Sequence, residues 1–170
     1  TYTFENRTAT HGFEIIDATN TPYAFGVTGI GGEWVSQTPD VSTHTMGVAY
    51  DGSQFVAVGF NGKIQSSPDG VTWTEQTSGV ASHFQGIIYA NSQFVAVGDT
   101  AAILTSPDAV TWTSQTPPTG FTNNLRNVAY GGGQYVAVGD TGSIITSPDG
   151  VAWTEQTSGV ATSIYDVVYA

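Results

Sequence analysis

Short apolar runs alternate with clusters of Gly, Asp, Asn and Ser along most of this chain, and the alternation returns about every forty residues. The runs Phe55-Val-Ala-Val-Gly59, Phe94-Val-Ala-Val-Gly98 and Tyr135-Val-Ala-Val-Gly139 place apolar side chains at successive positions. In an extended segment successive side chains point to opposite faces, so both faces of these strands must be dry. Each unit divides into four short strands. In the first, strand a covers about 46–50, b about 54–59, c about 63–67 and d about 71–77. The separators Asp51-Gly52, Asn61-Gly62 and Asp69-Gly70 tolerate positive φ in tight turns. Such short connections force an up-and-down antiparallel sheet and leave no room for crossover helices.

The period names the architecture. Trp34, Trp73, Trp112 and Trp153 are spaced by 39, 39 and 41 residues, and Tyr50, Tyr89, Tyr130 and Tyr169 by 39, 41 and 39. A four-strand unit of this length, with both sheet faces apolar, predicts an all-β fold of β-propeller type. Small Ala57, Ala96 and Ala137 suit close approach of stacked sheets. Complete units are expected at about 45–83, 84–124 and 125–162, within a repeat region of 23–170. A strand-d look-alike, Gly32-Glu-Trp-Val-Ser-Gln-Thr38, precedes them, and a lone strand a over 164–170 follows. That offset suits closure by pairing the two chain ends in one blade. However, only eight residues separate Gly26 from Trp34, against fourteen between Gly59 and Trp73. The fourth blade is therefore split or incomplete, or further repeats or another subunit complete the ring. Residues 1–22 match no repeat and read as an extended arm or linker.

A second recurring element is Ser67-Pro-Asp-Gly70, Ser106-Pro-Asp-Ala109 and Ser147-Pro-Asp-Gly150, each followed closely by Trp73, Trp112 or Trp153. The string Ser-Pro-Asp-Gly-Val-Thr-Trp resembles the Asp box of bacterial neuraminidase-repeat propellers, one residue shorter than the family's Ser-x-Asp-x-Gly-x-Thr-Trp. The likeness covers roughly residues 33–170. Similar repeats occur in sialidases, in photosystem II assembly factors and in exported or phage-encoded proteins. In such a turn Asp69, Asp108 and Asp149 would accept backbone N–H bonds while Ser67, Ser106 and Ser147 close the other side. The tryptophans would fill the gap between blades. If position 109 needs positive φ, Ala costs about 1 kcal/mol there, so Ala109→Gly is expected to be neutral or stabilising.

Composition narrows the function. The net charge is −11 and only Arg7, Lys63 and Arg126 are fixed cations, which disfavours nucleic acid and anionic membrane surfaces as partners. There is no Cys, hence no disulfide or thiolate metal site, and no apolar stretch approaches the roughly 20 residues of a membrane span. The resemblance brings sialidase chemistry to mind, but that family grips its substrate with three arginines and this chain holds two. A single catalytic acid pair should break the repeat. The repeat-breaking acids are few, Asp17 and Asp166 chief among them. No catalytic residue, metal or cofactor is assigned.

Recognition is expected on one rim. The b–c loops carry Phe60-Asn61 in the first unit, Asp99-Thr100 in the second and Asp140-Thr141 in the third, beside d–a loops bearing His44 and His83. Phe60 is either a ligand contact or packing for a neighbouring loop. Asp99 and Asp140 cap their turns or bind calcium weakly. The histidines could hold a metal with an acid such as Asp99, or be exposed residues inherited by duplication. Asn6-Arg7-Thr8 fits an N-glycosylation acceptor.

The resulting expectation is a non-enzymatic structural or recognition module of an exported or virion-surface assembly, such as a tail fibre or adhesin. It would act through sibling subunits, other proteins or glycans. An assembly factor like the photosystem II propellers and an atypical glycoside hydrolase are the alternatives.

Overall fold

The computed structural model describes residues 44–170; the 1–22 arm, Trp34, Asp17, Arg7 and the glycosylation triplet lie outside the described residues. Three four-stranded antiparallel sheets form, each within one repeat. The first orders β1 (Thr45–Tyr50), β2 (Phe55–Gly59), β3 (Ile64–Ser67) and β4 (Thr74–Gln76). The second orders β5 (Phe84–Ala90), β6 (Gln93–Gly98), β7 (Ile103–Ser106) and β8 (Thr113–Ser114). The third orders β9 (Leu125–Gly131), β10 (Gln134–Gly139), β11 (Ile144–Ser147) and β12 (Thr154–Gln156). Neighbours in sequence are neighbours in space, as short turns require.

The fully apolar strands are the stacked ones. Val56, Ala57 and Val58 are buried, as are Val95, Ala96 and Val97, although side chains one apart point to opposite faces. Between the first two sheets, Val56, Val58 and Ile64 pack against Phe84, Ile87, Phe94, Leu104 and Ala109. Between the second and third, Val95, Val97 and Ile103 pack against Leu125, Val128, Tyr135, Ile145 and Trp153. The same positions of each unit thus meet the same positions of the next. Burying a side chain of this size stabilises the fold by about 1.5–3 kcal/mol.

Strand d is shorter than expected, because Val71–Trp73 and their equivalents belong to the Ser-Pro-Asp turn rather than to the sheet. Between strands a and b the second and third sheets use two-residue turns, Asn91-Ser92 and Gly132-Gly133, with positive φ at both positions. That geometry matches the right-handed twist of the flanking strands. A second difference concerns residues 164–170, which form no strand. They lie against the third sheet, with the Ile164 N–H donating to the Gly139 carbonyl at 2.9 Å.

Candidate recognition rim

The rim begins with a glycine. Gly59, Gly98 and Gly139 end strand b in extended conformation, where a Cβ would collide with the backbone carbonyl of His44, His83 or Asn124. That close approach lets the next N–H bond the same carbonyl: Phe60 to His44 at 3.0 Å, Asp99 to His83 at 2.9 Å, and Asp140 to Asn124 at 2.9 Å. Each b–c connection is consequently a short 3-10 turn, Phe60–Gly62, Asp99–Ala101 or Asp140–Gly142, instead of the expected two-residue hairpin. The middle residue of each, Asn61, Thr100 or Thr141, is left-handed, with φ of 56°, 54° and 57°. β-branched threonines seldom adopt this conformation, which costs on the order of 1 kcal/mol or more.

Bonds to the next repeat hold the strained turns. The Asn61 N–H donates to His83 Nδ1 at 3.0 Å, and the Thr100 N–H donates to Asn124 Oδ1 at 2.8 Å. His83 and Asn124 therefore occupy the same acceptor role. This explains the histidine without a metal. Among the described residues no cluster of three His, Cys, Asp or Glu side chains is placed to hold an ion.

On this repeated frame the side chains differ. Phe60 lies between His44 and His83, with ring centroids at 5.1 Å and 4.5 Å, the second pair stacked. Asp99 accepts from Gln85 Nε2 at 3.0 Å. Asp140 is gripped by Arg126 through Nε at 2.9 Å and Nη2 at 2.7 Å, with Asn124 adding a third bond. The Arg126 guanidinium holds the Asp140 carboxyl below the usual carboxylate range. Both aspartates are thus engaged by side chains, and Phe60 is packed against its neighbours while remaining half-exposed. The Arg126–Asp140 pair had no signal in sequence beyond its two charges; only the sheet register places positions 126 and 140 side by side.

The Ser-Pro-Asp turns lie away from this rim. Asp108 Oδ1 accepts the N–H groups of Thr111 at 2.7 Å and Val110 at 2.9 Å, and the Ser106 hydroxyl at 3.1 Å. The Thr111 and then the Val110 N–H hold its carboxyl down to about 2. Asp69 and Asp149 repeat the pattern and the downward direction. Trp73, Trp112 and Trp153 each donate Nε1–H to the carbonyl of residue 70, 109 or 150, which satisfies the indole while its rings pack. Asp166 bonds Asn127 and the Val167 N–H.

Two open grooves flank the turns of the first and third sheets. One is lined by Glu75, Gln76 and Thr77, the other by Glu155, Gln156 and Thr157. Each contains a single acid, whereas paired-carboxylate hydrolysis needs two at a short separation.

No protein-family model matches the sequence, and no curated protein matches it. Solved structures do match in fold. YCF48 bound to D1 peptide superimposes with a TM-score of 0.61 at 19% identity, over 72% of this chain and 44% of that one. YCF48 from Cyanidioschyzon merolae gives 0.59 at 17% identity, over 69% and 38%. The WD40 β-propeller domain of Doa1 gives 0.54 at 13%, over 71% and 43%. The chain spans less than half the length of each. Three four-stranded sheets and these likenesses make the fold that of a β-propeller.

Proposed function

We propose that this chain is a non-enzymatic recognition module that presents the rim at 60–61, 99–100 and 140–141 to a protein partner. The observation that carries this reading is the contrast on the rim. One backbone frame, held by identical glycine and carbonyl contacts, displays an aromatic stack, a Gln–Asp pair and an Arg–Asp pair in successive repeats. Rigid frames with varied loop residues are how loop-borne binding sites are built. The acidic surface favours a neutral or basic segment as the partner.

YCF48, of the same fold, has been solved with a D1 peptide, which supports a peptide as the recognised class and an assembly-factor role. The turn geometry at Asp69, Asp108 and Asp149 supports assigning the repeats to the Asp-box type. Scarcity of Lys and abundance of Gly, Ser and Thr favour an exported or virion-surface setting, with glycans as the second ligand class.

The test is a peptide-display selection and a glycan array on the wild-type chain, repeated on Phe60→Ala and on Arg126→Ala. Binding that falls about tenfold in either variant, with the melting temperature of that variant retained, is the expected result. Ligands indifferent to both substitutions would contradict the rim assignment, and selection of glycans alone would contradict the protein partner.

A further inference from the structure

One side chain on the rim does with a ring nitrogen what its counterpart in the next repeat does with an amide oxygen. The Asn61 N–H donates to His83 Nδ1 at 3.0 Å, and the Thr100 N–H donates to Asn124 Oδ1 at 2.8 Å. Each acceptor stands just before strand a of the following repeat, and each donor is the left-handed middle residue of its turn, at φ of 56° or 54°. The two junctions are equal in geometry and unequal in chemistry. An amide oxygen keeps its lone pairs at ordinary pH, whereas an imidazolium carries N–H on both nitrogens and accepts nothing. Histidine is the side chain that makes this change between about pH 5 and pH 8.

The surroundings confine the consequence to one bond. Phe60 stacks on the His83 ring with centroids 4.5 Å apart and planes at 15°, and His44 lies against it at 5.1 Å. A cation over an aromatic face is attracted to it, so protonation leaves the stack in place. The His83 carbonyl accepts the Asp99 N–H at 2.9 Å whatever the charge on the ring. The titratable and charged groups about the junction are His44 across Phe60, Lys63 and Glu75 along the groove of the first repeat, and Asp99 of the second, whose carboxylate is held by Gln85. Among the described residues the Asn61 N–H has no second acceptor. Asn61 is exposed, so water takes over its N–H once the ring is charged, and the change is a local opening of the turn.

We propose that His83 is a pH-sensitive latch of the rim. Neutral, it ties the first b–c turn to the second repeat through Asn61; protonated, it releases that turn, and with it the Phe60 that the turn presents, while the turn at 99–101 stays tied to Asn124. The latch itself is independent of what the rim binds. Its consequence, a rim that engages a partner at neutral pH and loosens in acid, rests on the reading of the rim as a recognition surface.

The test is amide hydrogen exchange of the full chain at about pH 7.5 and about pH 5, each rate referred to the intrinsic rate at that pH, with the His83 ring followed by NMR. Asp69, Asp108 and Asp149 are held below the ordinary 3.8 and stay ionised over this range, so the Ser-Pro-Asp turns give a constant background. Protection of the Asn61 amide should fall about tenfold on acidification, with the midpoint of the His83 titration, and that of Thr100 should not change. His83→Asn copies the acceptor of the next junction and should keep Asn61 protected at both pH values, Asn124→His should carry the pH dependence to Thr100, and His44→Gln should leave that of Asn61 in place. Equal protection of Asn61 at both pH values, a loss that survives His83→Asn or vanishes in His44→Gln, or an equal loss at Thr100 in the wild type would each overturn the latch. Should a variant not fold, the wild-type comparison of Asn61 with Thr100 still decides. Asn61 behaving as expected while peptides selected on the rim bind alike at both pH values would count against the rim assignment and leave the latch standing.

Discussion

Aspartates at 69, 108 and 149 do their work through one oxygen. Each accepts two successive backbone N–H groups and a serine hydroxyl, which favours the ionised carboxylate. A carboxyl whose pKa is lower folded than unfolded contributes stability that is complete above the unfolded value. That contribution is lost as pH falls through the folded value. For Asp108 the window runs from the ordinary 3.8 to about 2. Urea midpoints should therefore decline between about pH 4 and pH 2, and Asp108→Asn should reduce the slope there; an unchanged slope would disprove the turn's role.

Ala109 gives a second test at this scale. Its φ of +66° bears out the left-handed backbone read from the repeat, but its methyl is fully buried between the first two sheets. Ala109→Gly relieves about 1 kcal/mol of backbone strain and removes a buried methyl worth about 0.8 kcal/mol. The two effects nearly cancel, so the melting temperature should stay within about 2 °C. The sequence exposed the first effect and hid the second, because burial at 109 depends on Val56 and its neighbours from another repeat.

Among the elements, strand b was the most legible, whereas the turn after it is a 3-10 turn and not the hairpin that its dipeptides suggested. Phe-Val-Ala-Val declared two dry faces, and the sheets stack on both. The final Gly of that run carried a reason that spacing alone could not supply: it admits the carbonyl of His83 or its equivalent against the strand end. Gly98→Ala should cost about 3 kcal/mol or more, measurable by chemical denaturation, since backbone rather than a flexible side chain must move. A loss below about 1 kcal/mol would mean that the strand end gives way easily. Short strand d and the absent strand at 164–170 were less legible. The first yields residues to a turn whose bonds outcompete the ladder, and the second joins no ladder among the described residues.

At the scale of the described residues, three blades stack in sequence order, and their stability lies between sheets as much as within them. The sequence marks the b–c and d–a loops as the place where the repeats differ, but the contacts among their side chains were only half visible. Histidine, asparagine and aspartate at 44, 83, 124, 99 and 140 looked like independent polar residues. The sheet register turns them into a chain of acceptors and pairs linking one repeat to the next, and a metal site does not arise among the described residues.

Everything rests on blades that are dry on both faces. Methyl relaxation by a soluble paramagnetic agent reads that directly at Val95, Ala96 and Val97, whose side chains alternate between the two sides of the second sheet. The account predicts weak, nearly equal enhancement at all three, and strong enhancement at the exposed Val168. Strong enhancement at Ala96 with protection at Val95 and Val97, or the reverse, would mean that one side of the sheet meets water and would contradict the propeller stacking.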